Sequence, residues 1–195
     1  AEPTDFKQAV AGKGVLRVTL RASGKAAHAA YPELGDSAAL KLLDVLADLR
    51  RTSWPEDPVL GPTTMNIGTI HAGLKANIIP PSAEAEVMFR TVTSCDSVFE
   101  TLQAVVGDRA AIEVGSTSEA IRLKVIPGYG RGEVVVRFGT DIPYLGNWGQ
   151  AMLFGPGSIH DAHTSHEFIL KADLLEAVDV YAGLVASLVK SGAPA

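Results

Sequence analysis

The stretch FGPGSIHDAHTSHEFI, Phe154 to Ile169, holds His160, His163 and His166, and a glutamate stands four residues after the middle one. Neutral imidazole and ionised carboxylate are the donors that hydrolytic metal sites use. His163, in Ala-His-Thr-x-x-Glu after a Gly-Pro-Gly turn, is therefore the first candidate ligand; the alternative is a loop imidazole satisfied by a backbone carbonyl. Glu167 is expected one helical turn further on, placed to orient that ring. His160 and His166 are read as surface residues. Near the other end, Glu2 in Glu2-Pro3-Thr4-Asp5 reads by itself as a solvated terminal carboxylate. His28 lies among Ala26, Ala27, Ala29 and Ala30, small neighbours that let an imidazole approach a ligand, although it could equally cap the helix that follows. The guanidinium of Arg90 can hold one carboxylate through two parallel hydrogen bonds or stand as an exposed charge at a strand end. Thr140, in Phe-Gly-Thr-Asp, ends the strongest strand of the C-terminal part, where active-site loops of α/β sheets sit, and is a candidate substrate contact. Cys95, near a helix start, has no flanking base in sequence and reads as a packed thiol rather than a nucleophile.

These residues need elements to hold them. Gly14 to Arg21 alternates Leu16, Val18 and Leu20 with Arg17, Thr19 and Arg21, the pattern of a half-buried strand. Asp36 then caps a predicted helix whose Ala39, Leu42, Leu43, Leu46 and Leu49 share a face. Strands are predicted over Thr63 to Ile70 and Ala83 to Arg90, joined through Gly73 to Pro81. A second helix follows, capped at Thr93 or Ser94, with Val98, Leu102 and Val105 at helical spacing, and Ala111 to Val114 closes the set. The order βαββαβ is the ferredoxin-like unit, a four-stranded antiparallel sheet with both helices on one face. Beyond about Gly115 the sequence predicts strands at Glu133 to Phe138 and Ala151 to Phe154, then a helix over Lys171 to Lys190 with Leu174, Val178, Tyr181, Val185 and Leu188 as its apolar stripe. Two short strands and a helix cannot enclose a core of their own, so this part requires a partner sheet. The fold class is α/β (α+β), with segments 1–13, 14–116 and 117–195.

Composition narrows the function. The 195 residues are 47% hydrophobic and 20% charged, proportions of a globular protein rather than a disordered one. The net charge of −5 and the scattered Lys and Arg argue against a nucleic-acid partner. No apolar run approaches the roughly 20 residues of a membrane span. A lone cysteine fits a reducing compartment, so the cytoplasm is the expected location.

Four segments together, EPTD (Glu2 to Asp5), GKAAHAAYPELG (Gly24 to Gly35), LKANIIPPSAEAEVMFR (Leu74 to Arg90) and the His163 turn, resemble the acetylornithine deacetylase / succinyl-diaminopimelate desuccinylase family of dinuclear-zinc amidohydrolases and exopeptidases. The likeness runs from Glu2 to about Leu188 and covers the second half of such an enzyme. It implies a ferredoxin-like lid and dimerisation domain inserted in a zinc-exopeptidase catalytic domain, and a homodimer formed through that lid. By position, Glu2 and His163 match metal ligands, His28 matches a residue that reaches the partner subunit's site and stabilises the oxyanion, and Asn77 and Arg90 match substrate contacts. The cofactor implied is two zinc ions per complete site, with cobalt or manganese as substitutes. The substrate implied is a small N-acyl amino acid or dipeptide with a free carboxylate. No histidine begins a His-x-Asp and no two glutamates are adjacent, so the family's other ligands and its general base have no counterpart in these residues. The chain alone is expected to be inactive, its N-terminal catalytic half missing. Two rival readings stand beside this one: a non-catalytic dimerisation and substrate-capping fragment, and an unrelated ferredoxin-like ligand-binding regulator.

Overall fold

Side chains alternate across a strand, so Leu16, Val18, Leu20 and Ala22 must leave Arg17, Thr19, Arg21 and Ser23 on the opposite face. The computed structural model, which describes residues 1–190, puts the first set in the core and the second toward solvent. In chain order the elements are β1 (Gln8–Gly12), β2 (Val15–Ser23), α1 (Ala38–Arg51), β3 (Glu56–Asp57), β4 (Gly61–Pro62), β5 (Thr64–Ala72), β6 (Ser82–Arg90), α2 (Cys95–Val106), β7 (Ala111–Ser118), β8 (Ile121–Arg122), β9 (Glu133–Val136) and α3 (Lys171–Lys190). No helix among the described residues is long and apolar enough to cross a membrane. The small-residue tail Ser191 to Ala195, the end of the expected segment 117–195, lies outside the described residues. The chain divides into two compact units, Gly14–Ala120 and Ala1–Lys13 with Ile121 onward.

In the first unit the sheet order is β5-β6-β2-β7, antiparallel throughout, which with α1 and α2 is the expected ferredoxin-like arrangement. Val18 pairs with Val87 and Leu20 with Ala85, and that face carries Leu42, Val45, Leu46 and Leu49 of α1 and Val98, Leu102 and Val106 of α2. Glycine marks both irregularities: Gly68 is the extra residue where β5 meets β6 and Gly115 where β7 meets β2, each a bulge that shifts register. Trp54 meets Phe89 edge-on at 4.7 Å, closing the core beside α1. The open face carries Arg17 against Glu86 at 3.3 Å and Arg21 between Glu84 and Glu113. These exposed pairs are worth little to stability.

Three details depart from expectation. The α1 cap is Ser37, whose hydroxyl accepts from Leu40 N, not Asp36, whose carboxylate pairs with Lys41 instead. Leu43 is half exposed and Val45 takes the buried place. Val105 is only partly buried, with Val106 inside. Periodicity finds the helix but cannot separate neighbouring positions at the edge of its apolar face.

In the second unit β1 lies between β8 and β9, antiparallel to the first and parallel to the second. Ala9, Val136 and Leu153 form one small core; Phe6, Phe154 and Ala177 form another. The predicted strand at Ala151 to Phe154 is irregular chain, although Ala9 N donates to Leu153 O and Lys124 N to Ala151 O, both at 2.9 Å. The stripe predicted for α3 is also corrected. Ala177 and Leu184 are buried and Tyr181 partly so, whereas Leu174, Val178 and Val185 are 48%, 65% and 58% exposed. A helix apolar on nearly every side offers several stripes, and only packing selects one.

Cys95 is buried at the start of α2, its backbone N–H donating to the Glu119 carboxylate and its Sγ contacting the carbonyls of Val15 and Ser118. Burial pushes its thiol up and the neighbouring Glu119 charge adds to this, against the hydrogen bond from Thr91. The native chain is expected to resist alkylation at about pH 8 and to label fully once denatured, as read by intact mass; rapid native labelling would contradict the packed thiol.

Candidate active site

A tight turn made without glycine follows Glu2. Lys7 N donates to Thr4 O at 2.9 Å across Asp5 and Phe6, whose φ values of 52° and 57° are those of a type I′ turn. Each such non-glycine residue costs about 1–2 kcal/mol, so the turn has to be held from outside. Gly155 O accepts from Thr4 N at 3.3 Å and Phe6 N at 3.0 Å, Gly157 O accepts from Asp5 N at 2.8 Å, and Arg131 N donates to Phe6 O at 2.6 Å. The buried Phe6 ring meets Phe154 edge-on at 5.8 Å and lies 4.6 Å from the Arg131 guanidinium, which itself pairs with Glu176 at 2.7 Å. Tyr181 closes the far side: its hydroxyl donates to Phe154 O at 2.7 Å, and burial pushes its pKa up, keeping it protonated. Gly155 cannot be another residue without movement, because a Cβ there would sit 2.3 Å from the Glu2 carbonyl oxygen.

His163 is the other non-glycine residue with positive φ among the described residues, at 60°. Its backbone N–H donates to Glu167 Oε2 at 2.7 Å. Glu167 thus fixes the backbone of His163, not its ring, which corrects the expected role. The intervening residues are turns rather than helix, with Thr164 Oγ1 donating to Asp161 O at 2.8 Å, and α3 begins only at Lys171. His163 leaves its imidazole exposed, and His160 and His166 are exposed as well. A cleft of 420 Å³ opens beside both segments, lined by Pro3, Pro156, Asp161, Glu167, Phe168 and Ile169 among others.

The donor types suit zinc, and the segments bearing Glu2 and His163 are joined directly through Gly155 and Gly157. A closed site needs about four ligands, however, and no group of three or more His, Cys, Asp or Glu placed to hold a metal occurs among the described residues. Glu2 and His163 by themselves do not make a metal site.

The second constellation belongs to the ferredoxin-like unit. His28 bridges to Ile78, Ala29 N donates to Asn77 O at 3.0 Å and Ile79 N donates to Ala27 O at 2.9 Å, so the loops after β2 and before β6 form one short ribbon. His28 and Asn77, fifty residues apart in rough count, are thereby neighbours, both exposed. His28 Nδ1 accepts from Ala30 N at 3.1 Å. That bond puts the proton of the neutral ring on Nε2, leaving an outward donor. Arg90 is half-buried at the other end of the nine-residue β6. At roughly 3.3 Å per residue this is about 27 Å from the His28 ribbon, too far for one small substrate to touch both on a single unit. Thr140 does not end the strand as expected: β9 stops at Val136, and Thr140 Oγ1 accepts from Ile142 N at 3.4 Å in the following loop.

The sequence offered no signal for two of these features. The Asp5-Phe6 turn lacks the Asn-Gly or Asp-Gly pair that marks type I′. Thr4 carries a residue type common in any loop, and only its contacts distinguish it.

Comparison with known proteins matches residues 10–114 to the family model for the peptidase dimerisation domain of M20 peptidases. A peptidase M20 domain-containing protein of Schizosaccharomyces pombe is 37% identical over 187 residues, covering 94% of this chain and 46% of its own length. A probable carboxypeptidase of Emericella nidulans is 34% identical, covering 94% and 49%. The chain thus spans about half the length of these curated relatives. Among solved structures, the aminopeptidase PepT of Bacillus cereus superposes with a TM-score of 0.68 at 20% identity, covering 93% of this chain and 53% of that one. At that identity the likeness shows the fold alone.

Gly155→Ala tests the close approach. It is expected to destabilise the chain by about 1–3 kcal/mol in denaturant melts, and unchanged stability would mean that Glu2 does not press on Gly155.

Proposed function

Because the chain belongs to the M20 peptidase family, we propose that it supplies the dimerisation unit and part of the active site of a metal-dependent hydrolase that cleaves the amide bond of small peptides or N-acyl amino acids. One observation carries the reading: the segments of Glu2 and His163, at opposite ends of the sequence, are hydrogen-bonded to each other through a strained turn and Gly155. Backbone strain collected around two metal-type donors suits a site that positions a ligand. Deacetylation or desuccinylation is the finer form of the proposal, favoured by the Glu-Pro-Thr form of the first turn. Zinc bound there, with cobalt or manganese as substitutes, would supply Lewis acidity and an activated water.

The chain's own residues divide the remaining work. His28 offers Nε2–H to an oxyanion developing on the scissile carbonyl, a contribution of about 3–4 kcal/mol where such donors are preorganised. Asn77 accompanies it. Arg90 pairs with the substrate carboxylate. Since about 27 Å of strand separates Arg90 from the other two, a homodimer resolves the geometry: His28 and Asn77 serve one site and Arg90 the other. The dimer edge is β5, nine residues long, with Ile70 exposed. Beside it α1 exposes Leu40 and Leu43, at 63% and 52%, whereas α2 near the β7 edge exposes Asp96, Ser97, Glu100 and Gln103. A long strand edge with its backbone groups unpaired calls for a partner strand.

A second reading has its own support. With Glu2 and His163 as an incomplete donor set and α3 apolar on an uncovered face, the 195 residues by themselves act as a dimerisation and substrate-capping module, turnover requiring residues beyond them.

Two measurements test these proposals. The purified chain, dialysed and assayed for zinc by elemental mass spectrometry and for hydrolysis of acetyl-amino acids, is expected to keep well under two zinc per chain and to be inactive; a full zinc pair with turnover would overturn the shared-site reading. In sedimentation the chain is expected to be a dimer that Ile70→Lys converts to monomer. A dimer indifferent to Ile70→Lys would move the interface away from β5.

A further inference from the structure

We propose that Tyr31 is a positioning residue for His28, its ring holding the imidazole so that Nε2–H is turned away from the loop; the inference deepens, and rests on, the reading of His28 as donor to an oxyanion. The loop that carries both residues is closed at its base, where Lys25 N donates to Asp36 O at 2.8 Å and Asp36 N to Lys25 O at 2.9 Å. Two glycines let its strands come together: a Cβ on Gly24 would collide with Asp36 O, and one on Gly35 would lie 2.7 Å from Ile79 Cδ1. Within the loop Tyr31 N donates to His28 O at 2.9 Å, Leu34 N to Tyr31 O at 3.1 Å and Gly35 N to Pro32 O at 3.2 Å. The backbone around His28 is thereby fixed, and the freedom that remains is rotation of the imidazole.

Two contacts limit that rotation. Nδ1 accepts from Ala30 N at 3.1 Å, but both residues are exposed, so water competes for this bond and it holds the ring weakly by itself. The second contact is the Tyr31 ring, whose centroid lies 6.3 Å from that of His28 with 62° between the planes, the edge-to-face arrangement that aromatic quadrupoles favour. Ala26, Ala27, Ala29 and Ala30 offer only methyl groups, so Tyr31 is the nearest side chain along the loop large enough to bear on the imidazole. Its own place is set from both sides, by the bond to His28 O and by Pro32, which restricts the backbone of the residue before it. With two side-chain torsions, tyrosine holds a ring in place at little entropic cost. Tyr31 is itself exposed, so its contact with His28 is not a by-product of core packing.

The experiment follows exchange of the Ala30, Ala29 and Ile79 amides with water by NMR in the 195-residue chain, at about pH 7.5, where an ordinary imidazole is mostly neutral. Wild type is compared with Tyr31→Leu, Tyr31→Phe and Leu34→Ala, the last as a control because Leu34 is exposed on the same loop. Tyr31→Leu is expected to speed exchange at Ala30 about five- to tenfold as the freed imidazole gives up that amide, while Ala29 and Ile79, bonded to Asn77 O and Ala27 O, keep their wild-type rates. Tyr31→Phe, which retains a ring, and Leu34→Ala are expected to stay within about twofold of wild type. An unchanged Ala30 rate in Tyr31→Leu would overturn the positioning role, since the imidazole then needs no wall. Faster exchange at all three amides together would overturn it as well, because Tyr31 would then hold the loop and not the ring. The donor reading is separated by turnover. In a longer chain carrying the residues that hydrolysis of acetyl-amino acids requires, Tyr31→Leu is expected to lower kcat about tenfold at unchanged KM and Tyr31→Phe to restore it. His28→Ala at the wild-type rate there would overturn the donor reading and leave the Ala30 result, and so the placing of the ring, intact.

Discussion

Gly155 has no side chain, and the carbonyl of Glu2 occupies the space that a Cβ would need. Around that contact the N-terminal segment folds back on itself. The carbonyl of Gly155 receives two amides from the turn, its own amide meets Thr4, and the Phe6 ring is driven into the small core with Phe154 and Ala177. The unfavourable φ values of Asp5 and Phe6 persist because every alternative would uncover that ring and leave buried polar groups unpaired. The placing of the two candidate ligands follows from this contact, since both hang from the segments it joins.

The ferredoxin-like unit obeys a different constraint. Its core is built from alternation within β2 and β6 and from one face each of α1 and α2, so its architecture is robust to local detail. The candidate residues sit at its periphery: the His28 and Asn77 ribbon beyond one end of β6 and Arg90 at the other. The nine residues of β6 hold the two sets apart on one unit. The M20 dimerisation-domain match assigns the unit to a family in which association is part of the design.

The α3 helix shows how an apolar pattern can be ambiguous. Leu174, Leu175, Val178, Val185 and Val189 remain exposed while Ala177 and Leu184 pack inside, and the small residues Ala177 and Gly183 let the helix lie close to Phe154 and Tyr129. Large apolar side chains are thereby left outward on this helix, an exposed apolar face among the described residues.

The sequence alone determined the order of strands and helices in the ferredoxin-like unit and the presence of α3, because period-two and period-3.6 patterns and glycine-proline punctuation are local properties; it offered His28, Arg90, Thr140 and His163 as candidates by residue type and setting, and Glu2 and Asn77 through the family resemblance. Only the tertiary structure decided which α3 stripe is buried, that Ala151 to Phe154 pairs without becoming a regular strand, and that Glu167 binds the backbone rather than the ring of His163. It also decided that His28 and Asn77 meet while Arg90 stands apart, and that Thr4 joins the segments of both metal-ligand candidates. Each of these depends on contacts between residues distant in the chain, where side-chain volume and hydrogen-bond direction choose among arrangements that the local pattern leaves equal.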